Sequence, residues 1–239
     1  MSLRIASADD WDDISRISTA SGYDDYINTI GPSYMEDGVV VVYEENGISG
    51  FGKINYLNDG SAWLSGLRVH PDAWRSGIGY RISDHLVHMA REMGCTEARM
   101  LIEDHNIRSI SLSSKMDFRP IASYGFFDGS PETEDWKDSD FNDTLMVNEG
   151  WYFVVLNDAY RGNGKFRESP GKTLAYVWNG NTNLVQIVRC GKDLRLEKEG
   201  ITCISSSEAK SLNGKFKPLQ DFESATVYEK KLLADPRKL

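Results

Sequence analysis

Residues 69–80 read Val-His-Pro-Asp-Ala-Trp-Arg-Ser-Gly-Ile-Gly-Tyr, a stretch whose residue types and spacing suit the binding of an anion. An alternating run over 62–69 precedes it and predicts a strand. After it, Ile82, Leu86, Met89, Ala90 and Met93 recur on one helical face, with Gly94 as the stop signal. A strand, a glycine-bearing turn and a helix start gather free backbone amides and the positive end of a helix dipole at one place. The usual occupant of such a place is a phosphate or pyrophosphate. Gly77 and Gly79 let the backbone approach a ligand with no Cβ in the way. Arg75 adds positive charge, worth about 0.3–1 kcal/mol if exposed. Two phosphate-loop patterns are excluded. The dinucleotide fingerprint needs a small third residue where Ile82 stands, and the P-loop needs Gly-Lys-Ser/Thr where Gly79-Tyr80-Arg81 stands.

The neighbouring sequence supplies elements to position this loop. Leu3 to Ser7 reads as a first strand, Ala8-Asp9-Asp10 as a helix start before Trp11, Ile14 and Ile17, and Tyr23 to Ile30 as a short second helix. Val39 to Tyr43 is a continuous apolar run, the pattern of a buried strand. Asn46-Gly47 turns it into a strand over 48–56, and Asn58-Asp59-Gly60 turns again before 62–69. After Gly94 come a strand over 98–103, Asn106, and a helix from about Ile107 to Met116.

Val-x-Pro followed by Gly-Ile-Gly, within this order of elements, resembles the acetyl-CoA pyrophosphate loop of the GNAT N-acetyltransferases. Asn106 through Phe118-Arg119-Pro120 resembles that family's closing motif, so the likeness covers about residues 3–127. It implies a mixed, mostly antiparallel α/β (α+β) sheet flanked by helices, with acetyl-CoA as cosubstrate and no metal. Leu67, Arg68 and Val69 would hold the pantetheine arm and acetyl carbonyl through main-chain bonds. Trp74, Arg75, Ser76, Gly77, Ile78, Gly79 and Tyr80 would hold the pyrophosphate, and Asn106 with Ser109 the far side of the arm.

The chain departs from the family pattern at Trp74, where glutamine or arginine is usual, with Arg75 displaced by one. It departs again at Ser109, Ser113 and Asp117, which stand for alanine, tyrosine and glycine. That tyrosine often returns a proton to the leaving thiolate, and a serine at 113 is shorter and less acidic. The role could pass to water or to another tyrosine. Glu103 or Asp104 could act as base toward an attacking amine, because a lysine-like amine is mostly protonated at pH 7; both also fit a surface role. His70 and His105 read as turn residues, and His85 and His88 as a surface pair rather than metal ligands.

The likeness uses only half of the 239 residues. We expect a GNAT domain over 1–128, an acidic connecting element over 129–149, and a smaller, mostly β domain over 150–239 that covers the acceptor side. Candidate strands there are 144–147 or 151–156, then 173–178, 184–190 and 226–229, with a helix over 205–212. Tyr160-Arg161-Gly162-Asn163-Gly164-Lys165 echoes a phosphate loop, but the following Ser-Pro-Gly favours a hairpin. Phe216-Lys217-Pro218 echoes 118–120. The opening around Tyr23 and Tyr26, with a trailing domain, resembles the two-domain YitH-like acetyltransferases. On that likeness Tyr23, Tyr26 and Tyr124 are acceptor-pocket candidates, with aromatic packing as the plain alternative.

A formal charge of −9 argues against a nucleic-acid partner and modestly favours cationic amines. Cys95, Cys190 and Cys203 have no metal-ligand spacing and read as reduced thiols in a cytoplasmic protein. No apolar run is long enough to suggest a membrane. The expected activity is acetyl transfer to a primary amine of a small molecule, polyamine or peptide. The alternative is a CoA-binding sensor without turnover. An exposed last strand would invite a homodimer.

Overall fold

The structure, a computed structural model, describes residues 2–22, 26–180, 184–212 and 214–232. The chain divides into two compact units that interleave in sequence. The first takes residues up to Met100, Ser111–Arg119 and the chain from Glu229 onward; the second takes Leu101–Ile110 and Pro120–Tyr228. The expected boundary at 128 therefore falls inside a strand of the second unit.

In the first unit the elements run β1 (Ser2–Ile5), α1 (Trp11–Ala20), α2 (Tyr26–Ile30), β2 (Val39–Glu44), β3 (Ile48–Tyr56), β4 (Ser61–Val69), α3 (Ile78–Glu92) and the start of β5 (Glu97–Glu103). Helix α4 (Ile107–Lys115) contributes its second half. Strands β1 to β4 pair antiparallel in sequence order and β5 joins β4 in parallel. This is the mixed, mostly antiparallel sheet that the sequence implies.

The two faces of β3 are used differently because its side chains alternate. Phe51 packs with Ile14, Ile17, Ile27, Tyr34, Val40 and Val42 under α1 and α2. Gly50 and Gly52 face α3. A Cβ on Gly52 would lie 2.9 Å from Ile82 Cγ2 and 3.1 Å from Leu86 Cδ1, so the missing side chains let the helix settle on the strand. Ile82 and Leu86 are buried there, each worth roughly 1.5–3 kcal/mol. Met93, expected on this face, lies past the helix end and is exposed, because Gly94 turns the chain at φ 80°.

Arg4 ties β1 to the start of α1. Its guanidinium donates to Asp10 at 2.7 and 2.8 Å, and the Ser7 amide donates to the same carboxylate at 2.7 Å. The Arg4 bonds, helped by Ser7 and opposed by burial, hold the Asp10 carboxyl well below the usual range. A depressed carboxyl pKa stabilises the fold above the unfolded value near ~4 and loses that contribution as pH falls through the folded one. Asp10→Asn is therefore expected to flatten the acid limb of stability below about pH 4. The loss at neutral pH should be about 1–2 kcal/mol, discounted for the half-exposed guanidinium. Urea unfolding at pH 3 and pH 7 measures both.

The second unit contains β6 (Arg119–Ser130), β7 (Lys137–Asp138), β8 (Leu145–Glu149), β9 (Tyr152–Leu156), β10 (Gly164–Glu168), β11 (Leu174–Trp178), β12 (Leu184–Arg189), β13 (Lys198–Ser205), a short helix α5 (Ser206–Ala209) and most of β14 (Ser224–Lys231). The order β14-β6-β13-β12-β11-β10-β7 forms its sheet, antiparallel at each registered pair except β12 with β13. Both alternatives for a strand near 150 are realised, and they pair with each other as β8 and β9. The segment 129–149, expected as an acidic connection, carries β7 and β8. Phe127, Ala175, Val185, Ile187, Leu194 and Ile204 make the core.

The loop 157–164 is a hairpin connection held from within. Glu149 is buried and accepts hydrogen bonds from Tyr160 Oη (2.6 Å), the Asn163 amide (2.6 Å) and Tyr176 Oη. Its oxygens are committed to protein donors, which leaves the loop a structural role. Phe216 stacks edge-on against Phe127 and the chain at Pro218 bridges to Phe127, so 216–218 runs beside β6 rather than repeating 118–120.

Candidate functional site

The loop after β4 adopts the geometry that anion binding requires. Pro71–Ala73 make one 3-10 turn, Arg75 sits at φ 65° and Gly77 at φ 84°, and α3 starts at Ile78. The first backbone bond of the helix runs from Arg81 N to Gly77 O at 3.1 Å. The amides of Ile78, Gly79 and Tyr80 therefore precede the helix's own ladder and point out of its positive end. Gly77 needs glycine for its left-handed backbone, whereas Gly79 is small for another reason. A Cβ there would stand 3.7–3.8 Å from Leu112, Leu67 and Val69, so a longer side chain would fill the space beside the β4 edge. Arg75 and Ser76 are exposed, and Ser76 Oγ donates to Ala73 O at 2.6 Å. Beside the loop lies an open cavity of about 540 Å³ whose lining includes Arg16, His70, Ser76 and Ile78.

Strand β4 runs on past its registered pairing with β5. Its ladder with β5 is registered at Ser61–Trp63 against Glu97–Arg99, and β4 continues six residues further. His70 N bonds back to Ser49 O on the β3 side, so by alternation the amide and carbonyl of Val69 face away from β3. Trp74 Nε1 donates to Val69 O at 2.8 Å. This gives the departure from the usual Gln/Arg a physical role, since the indole fixes the loop onto the strand end. The Val69 carbonyl is already engaged, which leaves its N–H as the group offered along this edge.

Within β4 the register slips. Lys53 faces Ser65 and Phe51 faces Arg68, so Gly66 and Leu67 together oppose Gly52 as a β-bulge. Gly66 has φ 62°, and the Tyr34 hydroxyl occupies the place where its Cβ would sit. Gly66→Ala is accordingly expected to cost about 2–4 kcal/mol, from the left-handed backbone and the overlap with the phenol. A shift in the urea midpoint reads this directly. Lys53 Nζ lies 4.2 Å from the Tyr34 ring centroid and donates to Tyr34 O at 2.8 Å, with Asp37 Oδ2 3.7 Å away. Burial lowers the Lys53 pKa, opposed by Asp37.

Ser113 is buried in the first unit, its carbonyl accepting from Phe118 N and Met116 N at the end of α4. Asn106, Ser109 and Glu103 belong to the second unit. There Asn106 Oδ1 accepts from Ser109 N at 3.1 Å and caps α4, and Glu103 lies 3.1 Å from His105 Nε2. Asp104 accepts from Thr226 Oγ1 at 2.8 Å. Tyr124, an acceptor-pocket candidate, is buried with its ring 4.6 Å from Phe153, and burial pushes its hydroxyl pKa up. It is a core residue of the second unit. Tyr26 is exposed and meets Tyr34 edge-on at 6.2 Å, while Tyr23 lies outside the described residues. Among the described residues no cluster of three or more His, Cys, Asp or Glu could hold a metal ion, and no helix is long and apolar enough to cross a membrane.

Residues 8–118 match the family model for acetyltransferases of the GNAT family. The chain carries a GNAT acetyltransferase domain. The match takes in β4, the anion loop and α3, and ends at Phe118. The fold extends further in two solved structures. A Thermoplasma acidophilum protein assigned to the acetyltransferases aligns over 97% of this chain and 100% of its own, at 20% identity and a TM-score of 0.68. A Pyrococcus horikoshii protein with the same assignment aligns over 98% of this chain and 90% of its own, at 14% identity and a TM-score of 0.59. Both likenesses concern the fold of nearly the whole chain, including the part beyond the GNAT domain. A comparison with curated proteins found no match.

The cosubstrate of GNAT domains is acetyl-CoA, and the first unit fits it. The α3 amides and Arg75 suit the pyrophosphate, the β4 edge suits the amide-bearing arm, and Gly79 leaves room between them. The residues that sequence reasoning missed are Tyr34 and Lys53. A glycine inside a strand pattern at 66 was the available signal, because such a glycine often marks a bulge or a close approach.

Proposed function

We propose that this chain transfers the acetyl group of acetyl-CoA directly to a primary amine of a small molecule, polyamine or peptide. The observation that carries this reading is the β4 bulge lying one strand-end away from the α3 amide cluster in the same unit. The loop anchors the pyrophosphate and Trp74 fixes its position. Strand amides beyond the bulge then meet the thioester carbonyl, a donor arrangement worth on the order of 2.7–4 kcal/mol per well-placed group. Alignment of amine and thioester supplies much of the rest, since direct attack needs no covalent enzyme nucleophile. The net charge of −9 favours a cationic acceptor, and this work suits the cytoplasm, where acetyl-CoA is made available.

Thermal unfolding with acetyl-CoA, with CoA and without ligand tests the binding half; a ligand at 100 times its Kd adds about 2.7 kcal/mol. Thiol release across a panel of amines tests the transfer half. Stabilisation with release from one amine class supports the reading and names the acceptor. Stabilisation without release favours a CoA sensor, a reading to which Ser113 in the tyrosine position lends weight. No stabilisation at saturating acetyl-CoA overturns both.

A further inference from the structure

The transfer needs a proton donor when the thiolate leaves, and the residue at 113 does not offer one: it is a serine, buried against the end of α4. We propose that the Tyr34 phenol is that donor, placed at the reacting carbonyl by the Gly66 bulge. The inference rests on the acetyl-transfer reading above and deepens it.

Several observations converge on Tyr34. Its hydroxyl lies in the space vacated by the missing side chain of Gly66, against the backbone that leads into Leu67. Gly66 is at φ 62°, so backbone conformation and side-chain absence both make room for the phenol. The hydroxyl comes from the face that carries Ile27, whose Cδ1 lies 3.7 Å from the same Cβ position; Gly79 and Leu112 lie near Leu67 and Val69. The ring itself is locked among Ile14, Ile17, Val40, Val42 and Phe51, which removes rotational freedom from the donor. Finally, Lys53 is buried with its ammonium over the Tyr34 ring. A buried cation at that position steadies the negative charge that grows on the phenol as it gives up its proton.

The step balances as follows. The amine nitrogen bonds to the acetyl carbon, the carbon–sulfur bond breaks, and the sulfur takes the Tyr34 proton. The phenolate then recovers, through water, the extra proton of the N-protonated amide just formed, leaving acetylated amine, CoA and the original enzyme. Asp37, 3.7 Å from Lys53 Nζ, is the charged group facing the pair from the segment after α2.

Tyr34→Phe removes one oxygen and keeps the packing. The variant should unfold within a few degrees of wild type and bind acetyl-CoA within threefold. Its amine-dependent thiol release should fall roughly 100-fold or more, the usual range for losing a general acid. A variant that binds and turns over within threefold of wild type overturns the assignment while leaving acetyl transfer intact. A variant that loses acetyl-CoA binding makes Tyr34 a structural support and overturns it equally. Wild type that binds but releases no thiol with any amine brings down the transfer reading, and the donor role with it.

Discussion

Ser76→Asp is expected to leave the fold about as stable as wild type and to weaken acetyl-CoA binding roughly 30–150-fold in the same molecule. Position 76 is exposed and lies one residue before the Gly77 cap of α3. A carboxylate there complements the helix dipole by about 0.3–1 kcal/mol, which offsets the loss of the bond that Ser76 Oγ donates to Ala73 O. The same carboxylate would face the pyrophosphate under the proposed function, and like charges so placed cost about 2–3 kcal/mol of binding, or roughly 30–150-fold in Kd. Higher salt should narrow that gap, because the site is open to solvent. Calorimetric titration with acetyl-CoA, alongside a thermal melt, gives both numbers. Unchanged affinity would remove the 74–80 loop from phosphate recognition. Unchanged stability with weakened binding separates a functional loop from a structural one.

Arg99→Ala carries the largest stability effect. Its guanidinium donates to Asp59 at 2.6 Å, to Ser61 Oγ at 3.0 Å and to Glu229 at 2.8 Å, and the side chains of Arg99 and Asp59 are 4% and 1% exposed. Burial disfavours the charged arginine, but the bonds to Glu229 and Asp59 outweigh it and its pKa rises. Removing the cation leaves the buried Asp59 carboxylate without its counter-charge and leaves Glu229 to the exposed Lys231 at 3.1 Å, at a cost of about 3–5 kcal/mol. For a chain of this size the melting temperature should fall by roughly 6–20 °C. Arg161→Ala is the control, since its bridge to Asp158 is exposed and worth about 0–1 kcal/mol. Equal shifts in the two variants would show that the Arg99 site is wetter than its burial implies.

The Arg99 site also shows where reading a sequence stops. Asn58-Asp59-Gly60 is legible as a turn, and Asp59 does accept from the Ser61 amide at 3.1 Å, as a turn aspartate should. That its second oxygen meets an arginine 40 residues later depends on β5 lying beside β4, a pairing with no local signature. The second unit was less legible for a related reason. β6, β10 and β13 lack a clean apolar alternation, and β6 runs for twelve residues because partners on its sides satisfy a backbone that its own sequence does not mark. Tyr124 illustrates the same limit: the sequence leaves a pocket role and aromatic packing both open, and the structure buries it beside Phe153.

By itself, the sequence determined the first unit's elements from β1 to α4, the anion loop and the GNAT resemblance. These rest on local physics: turn residues at 46–47 and 58–60, helical spacing after Ile78, and glycine at 77 where only a left-handed backbone closes the loop. Only the tertiary structure decided which side chains meet. It set Trp74 on the Val69 carbonyl, Lys53 over Tyr34, and Tyr34 in the empty side-chain place of Gly66. Such contacts join residues far apart in the chain, and their energies come from burial and close approach. No spacing rule encodes them.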